Sequence, residues 1–262
     1  MLSGIKNIFA KLKKHKFLFS ELIKRDFKKK YKRSVLGVFW SVLSPVLTML
    51  VMRLMFTQFF GRTIAHYTTF ILAGNIVFSY FREATNEGMN TVMANARIFS
   101  KLDVPKELFL YSKSISQLLN FAISIVVFLV FCIFDGITIG WHFFMLLYPT
   151  LCMTVFCTGV ALLLSTLYVF LKDIRYLWAV FMRLLTYMSA VFYSIDKYPD
   201  IVQKLFLLNP VYMFIKYFRT IAIDGQIPSL LIHGLCLLYA AVFFLLGRTV
   251  FKRKQDRFIF YY

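Results

Sequence analysis

Residues 114–134 read SISQLLNFAISIVVFLVFCIF, a run without one acidic or basic side chain. A helix crosses the hydrocarbon core of a bilayer in about 20 mainly apolar residues, so this run has the length and chemistry of a transmembrane span. Five further stretches read the same way on either side of it: 34–58, 66–81, 142–170, 176–195 and 229–247. The second span is short and the fourth long. None of the six contains Asp or Glu, and all twelve acids fall in connections or tails. The fold class expected is an all-α integral membrane protein with six transmembrane helices.

The composition agrees. Hydrophobic residues make up 60% of the 262, with mean hydropathy +0.69, against ~45–50% apolar content in a soluble domain. That share excludes a disordered chain, and four cysteines in so long a chain exclude a disulfide scaffold. Cys132, Cys152, Cys157 and Cys236 all lie in apolar spans and read as small hydrophobes. The formal charge of +19 would point to nucleic acid in a soluble protein. Here the charges lie outside the apolar runs, as in a membrane protein, and no nucleic-acid partner is expected.

With the N-terminus inside, 24 of the 31 Lys and Arg residues fall on the cytoplasmic side and five in outer connections, while Arg53 and Arg183 lie within spans. The positive-inside rule then places both termini in the cytoplasm. Residues 1–33 have no continuous apolar core or small-residue cleavage site, so no cleavable signal peptide is read there. The expected organisation is a cytoplasmic basic amphipathic arm at 1–33, a six-helix transmembrane domain at 34–247, and a basic cytoplasmic tail at 248–262.

Three connections are too apolar to be plain loops. In the arm, Ile5, Ile8, Phe9 and Leu12 recur at helical spacing, as do Phe19, Leu22, Ile23, Phe27 and Tyr31, with basic residues filling the rest. This predicts an N-terminal amphipathic interface helix on the inner leaflet, apolar side down, its basic side suited to anionic membrane lipids. Ser20 and Glu21 are the start signal of its second part. Between spans two and three, Met89, Val92, Met93, Ala96 and Phe99 form an apolar stripe, and Val104 before Pro105 is pushed out of the α region. A short cytoplasmic helix with a sharp end suits a groove on another protein; the alternative is a helix resting on headgroups. Before span six, 199–208 and 210–223 are apolar and too short to span, with Asn209 as N-cap, Pro210 in the first turn, and Asp224-Gly225 as a stop. They predict an outer re-entrant half-helix hairpin at the end of a path or at a subunit interface.

Several chemistries are missing. The sequence has no GxxxxGK[ST] phosphate loop and no DxD, HExxH, CxxC or GxSxG stretch, so no ATP site of that kind, metal site or nucleophile is expected. Spans without carboxylates argue against proton- or cation-coupled transport. His66, His142 and His233 fall at outer span ends, where interfacial hydrogen bonding is the plainer reading beside a metal or pH site. The chain reads as a conduit powered from elsewhere, not as an enzyme.

Particular stretches carry a resemblance. They are Arg25-Asp26-Phe27-Lys28, then Tyr31 to Trp40 with Pro45, Phe70-Ile71-Leu72-Ala73-Gly74, Asn95 to Pro105, Leu171-Lys172-Asp173-Ile174, Val191-Phe192-Tyr193-Ser194 and Leu208-Asn209-Pro210. In this order and spacing, from about residue 20 to 225, they resemble the permease subunits of type-2 ABC exporters for polysaccharides, including teichoic acid and O-antigen permeases. Ala190 stands where that family usually has a proline, which bears on how span five kinks, and Lys172 replaces a common arginine. The resemblance implies a subunit of the bacterial cytoplasmic membrane that pairs with a second copy of itself and with a cytoplasmic ABC ATPase dimer. It implies a lipid-linked glycan as cargo, on a polyprenyl diphosphate, with ATP and Mg held by the ATPase and no cofactor bound by this chain.

Candidate residues follow. The segment 95–105 becomes a cytoplasmic coupling helix, with Asn95, Arg97, Phe99, Lys101, Val104 and Pro105 facing the ATPase. Lys32 and Arg33 end the basic arm that would attract a diphosphate head. Trp40, Tyr193 and Tyr212 offer ring faces to sugars, with lipid contact as the alternative. Arg183 lies seven residues into span five, about 10 Å deep at ~1.5 Å per residue, facing either the path or, by snorkelling, the headgroups. Rival functions are a type-2 ABC permease for a small lipid or drug, and a membrane-embedded transferase, which the missing carboxylates and metal signature disfavour.

Overall fold

The computed structural model describes residues 15–31, 37–60, 66–101, 104–196 and 198–261, and no strand occurs among them. Ten α-helices follow one another among these residues: α1 Lys16–Tyr31, α2 Trp40–Phe60, α3 Tyr67–Ala94, α4 Ala96–Phe99, α5 Glu107–Phe134, α6 Leu147–Phe170, α7 Ile174–Met188, α8 Asp200–Phe206, α9 Pro210–Ala222 and α10 Leu230–Lys254. A 3-10 segment, Trp141–Leu146, leads into α6, and another, Gln255–Tyr261, follows α10. Three helical stretches among the described residues are long and apolar enough to cross a membrane: Glu107–Phe134, Trp141–Phe170 and Leu230–Tyr261.

The most buried long helix is α6, packed between α10 and α3. Lipid tails are as apolar as leucine, so helices in a bilayer associate through close packing, which small residues permit. A Cβ on Gly247 of α10 would collide with the Gly159 carbonyl of α6, and one on Gly159 with the backbone of Phe243 and Phe244. Gly88 of α3 meets Ala161 of α6 in the same way. Aromatic side chains fill the wider gaps, with Phe81, Phe156, Phe214 and Phe218 buried in one continuous core.

Several expectations need correction. The stripe at Met89 and Val92 belongs to no separate helix: α3 runs unbroken from Tyr67 to Ala94, well past residue 81. It stops where the Asn95 side chain turns back to donate to the Thr91 carbonyl at 2.8 Å, leaving only the one-turn α4. The arm helix begins at Lys16 rather than Ser20, and its apolar stripe faces protein. Leu22 is 4% exposed, Ser116 Oγ donates to the Ile23 carbonyl, and Lys113 pairs with Glu87 at 2.6 Å and with Asp26 at 4.0 Å. The outward side still shows Phe17. The fifth expected span ends early, since α7 stops at Met188, while α10 continues seven residues beyond 247. The first begins late, at Trp40, after a 3-10 turn at Gly37–Phe39. Ile5, Ile8, Phe9, Leu12, Lys32, Arg33 and the side chain of Arg53 lie outside the described residues.

Candidate functional site

Four helices leave a cleft of about 440 Å³ inside this apolar bundle. Trp40, Ser44, Pro45 and Thr48 of α2 form one wall, Asn75 to Glu83 of α3 the next, and Gln117, Asn120, Phe121 and Ser124 of α5 the third. Thr186 of α7 and the following residues Val191 and Phe192 complete it. Most polar positions share one geometry. Ser44 and Thr48, Asn75 and Ser79, and Asn120 and Ser124 are each four residues apart, so each pair lies on one helix face. Their hydroxyls bond to their own helices: Thr48 Oγ1 donates to the Ser44 carbonyl at 2.8 Å, and Thr186 Oγ1 to that of Met182 at 2.8 Å. Such bonds satisfy the donor and leave the hydroxyl oxygen able to accept. Aromatic rings stand among them, with Tyr80 stacked on Phe121 at 4.2 Å between centroids.

A hydroxyl- and amide-lined cleft at the depth of apolar helices is costly unless water or a polar ligand fills it. Among the described residues its charged lining is Arg82 and Glu83, at one end of the α3 wall. No cluster of three or more His, Cys, Asp or Glu residues occurs among the described residues. The described lining is thus mostly neutral and hydrogen-bonding, with aromatic rings among it.

Beyond the end of α7 the chain is held at five successive residues. Asn209 Nδ2 donates to the Met188 carbonyl at 3.1 Å and to Ser189 Oγ at 3.0 Å. Arg219 donates to the Ala190 carbonyl at 2.9 Å and to that of Val191 at 2.7 Å, and Tyr67 Oη to that of Phe192 at 3.1 Å. Arg219 is 8% exposed, also reaches the Phe70 carbonyl at 3.3 Å, and lies over the Phe70 ring at 3.4 Å. A Cβ on Gly74 would approach its guanidinium to 2.7 Å, so the glycine makes room for it. Ala190 has φ 47°, a value closed to the proline the resembling permeases usually carry there.

The structure distributes the candidate residues unevenly. Trp40 lines the cleft. Tyr212 is buried against Phe206, a packing role. Tyr193 is half-buried, its hydroxyl donating to the Tyr187 carbonyl at 2.8 Å. Arg183 is exposed on α7 and stands outside the cleft wall. In the other group, Arg97 and Lys101 are exposed, while Asn95 and Phe99 are buried and Val104 and Pro105 half-buried. Asn95 accepts from Arg25 of α1 at 3.2 Å, and Phe99 packs edge-on against Phe109 at 4.7 Å. His66 Nδ1 lies 3.7 Å from Asp135 Oδ2, beyond hydrogen-bond reach, and His233 Nε2 bonds the Tyr217 hydroxyl at 2.7 Å. Asn75, Ser79, Gln117, Asn120 and Ser124 were not singled out from the sequence. Their signal is polar residues three or four apart on one side of an otherwise apolar helix.

Comparison with known proteins fits this geometry. A family model described as ABC-2 type transporter matches residues 18–223. The chain is 26% identical over 249 residues to an O-antigen export system permease protein RfbA of Klebsiella pneumoniae, covering 92% of this chain and 95% of that one. It is 22% identical over 259 residues to an RfbA of Myxococcus xanthus, covering 96% and 97%. With the capsule polysaccharide export inner-membrane protein CtrC of Neisseria meningitidis it shares 23% over 245 residues, 91% of each. An all-helical bundle, a polar cleft within it and a family match over most of its length agree: this chain belongs to the ABC-2 type transporter family, as a multi-span membrane subunit of a transporter.

Proposed function

We propose that the chain is the permease of an ATP-driven exporter that moves a polysaccharide across the inner membrane of a bacterium, carried on a polyprenyl diphosphate lipid. The observation that carries this reading is the cleft, whose amides and hydroxyls exchange hydrogen bonds with sugar hydroxyls while the exposed Trp40 offers a ring face. The relatives' printed names, for O-antigen and capsule export, point to the same cargo class. Twelve Lys and Arg residues in 1–33 would gather an anionic diphosphate at the inner surface. In this reading α2, α3, α5, α6, α7 and α10 are the six spans, both termini are cytoplasmic, and α8 and α9 form the outer hairpin. The domain limits stay at 1–33, 34–247 and 248–262. A second copy faces α7, where Arg183 would meet the diphosphate, and an ABC ATPase dimer holding ATP and Mg docks at Arg97 and Lys101. Asn95 and Phe99 hold that docking surface from within.

One experiment tests both cargo and path. After depletion of the protein, an undecorated or lipid-linked glycan accumulates on the cytoplasmic side, and the wild-type chain clears it. The double variant Asn75→Leu, Asn120→Leu, which keeps the branched side-chain shape and removes both amides, clears it several-fold more slowly at equal membrane level and equal ATPase capture. No accumulation of glycan rejects the cargo in favour of a small lipid or drug, and full clearance by the variant rejects the cleft as the path.

A further inference from the structure

The charged end of the cleft has a definite level in the bundle. Two contacts show that α3 and α5 run antiparallel and set their register: Tyr80 stacks on Phe121 at 4.2 Å between centroids, and Lys113 meets Glu87 at 2.6 Å. Between these contacts Arg82 of α3 and Gln117 of α5 come to the same level, and both line the cleft.

Both side chains have donors to spare. Gln117 is 5% exposed, and among the described residues nothing bonds its side-chain amide. Such a group is costly to bury unless something polar fills the space beside it. Arg82 is exposed and forms no ion pair among the described residues. Its neighbours differ. Lys113, one turn inward on α5, is held by Glu87 and, at 4.0 Å, by Asp26, and Glu83 at the same end of the cleft is itself engaged.

Depth adds to the argument. Arg82 is fifteen residues from Tyr67, about 22 Å along α3 at ~1.5 Å per residue. With Tyr67 at the outer boundary of a core about 30 Å thick, Arg82 stands in the last third before the inner headgroups. An ionisable side chain at such a depth that opens on a polar cavity marks a ligand path. The guanidinium fork matches phosphate oxygens with paired N–H donors, and the Gln117 amide adds donors from the facing helix.

We propose that Arg82 and Gln117 form a phosphate-binding subsite at the inner end of the cleft, for the headgroup of a lipid whose tails stay in the inner leaflet. Its role in loading cargo rests on the reading of the cleft as the transport path. The phosphate is held at the level of its own leaflet, and neutral groups attached to it reach Asn75, Asn120 and Ser124 farther out. Arg183 stands outside the cleft wall, so this is a different contact from the one assigned to it. Two lipids carry the required chemistry, a polyprenyl diphosphate carrier and an anionic phospholipid of the membrane itself.

The chain co-purified with its ATPase, in neutral detergent without nucleotide, is titrated with polyprenyl diphosphate, phosphatidylglycerol and uncharged polyprenol, and bound lipid is counted by native mass spectrometry. The wild type holds polyprenyl diphosphate at least tenfold more tightly than polyprenol. Arg82→Gln loses that preference at unchanged ATPase capture, Arg82→Lys keeps part of it, and Gln117→Leu weakens phosphate binding about threefold. A tenfold preference for polyprenyl diphosphate over phosphatidylglycerol assigns the subsite to the carrier, and equal competition assigns it to membrane phospholipid; the subsite stands in both cases. Phosphate binding by Arg82→Gln equal to that of the wild type overturns it, whatever cargo is exported. Full glycan clearance by Asn75→Leu, Asn120→Leu beside Arg82-dependent phosphate binding rejects the path instead, and leaves a lipid site without a role in loading.

Discussion

Ala190 sits at φ 47°, in the left-handed region where a residue with a Cβ costs about 1–2 kcal/mol. Arg219 offsets that cost through the carbonyls the turn exposes, since hydrogen bonds to a charged donor contribute about 1.5–3 kcal/mol each. Ala190→Gly therefore stabilises the purified chain by about 1 kcal/mol, because glycine adopts positive φ freely. Ala190→Pro destabilises it by about 3 kcal/mol or more, because the ring locks φ near −65° and removes the N–H. Thermal unfolding in detergent measures both, and a reversed order would mean that the turn is right-handed. None of this was legible at the residue. Alanine is the best helix former, it lies within an apolar run, and its local preference was overruled by an arginine 29 positions away.

The helix boundaries show the same division at a larger scale. Arg82, Glu83 and Glu87 end the apolar run of span two, yet arginine and glutamate are good helix formers and α3 continues through them. The apolar run marks where lipid could be, and the helix ends where Asn95 takes the Thr91 carbonyl. At Asn209 the two signals coincide: its Oδ1 accepts from the Val211 amide at 3.0 Å and the Tyr212 amide at 3.4 Å, the cap expected before Pro210. Beyond α3, the one-turn α4 presents Arg97, with Lys101 just after it. Reversing both to Glu should lower ATPase capture by about tenfold or more, as expected where rim charges steer a complementary partner, while membrane level stays unchanged. Co-purification of the ATPase is the measurement, and undiminished capture would return this segment to the headgroups. Asn95→Ala should weaken capture too, less steeply, because it removes the bond by which Arg25 ties α1 to the junction of α3 and α4.

For the whole molecule, α7 carries a broad apolar side without a neighbour among the described residues. At fifteen residues it is about 22 Å long at ~1.5 Å per residue, less than the ~30 Å of bilayer core. If a second copy covers it, Leu184→Cys and Tyr187→Cys should cross-link between chains in intact membranes several-fold more than Leu238→Cys on α10. Equal yields at all three would place lipid against α7 instead. The sequence by itself determined the membrane as solvent, the long apolar helices, the cap at Asn209 and the missing ATP site, because those rest on local chemistry: length, apolar content, charge bias and motif. Only the tertiary structure decided that α1 lies on α5, that Gly159 and Gly247 mark a helix crossing, and that polar residues from α2, α3 and α5 meet in one cleft. Periodicity shows which residues share a face of one helix, but which faces meet depends on close packing between elements far apart in the chain, and that information resides in no single segment.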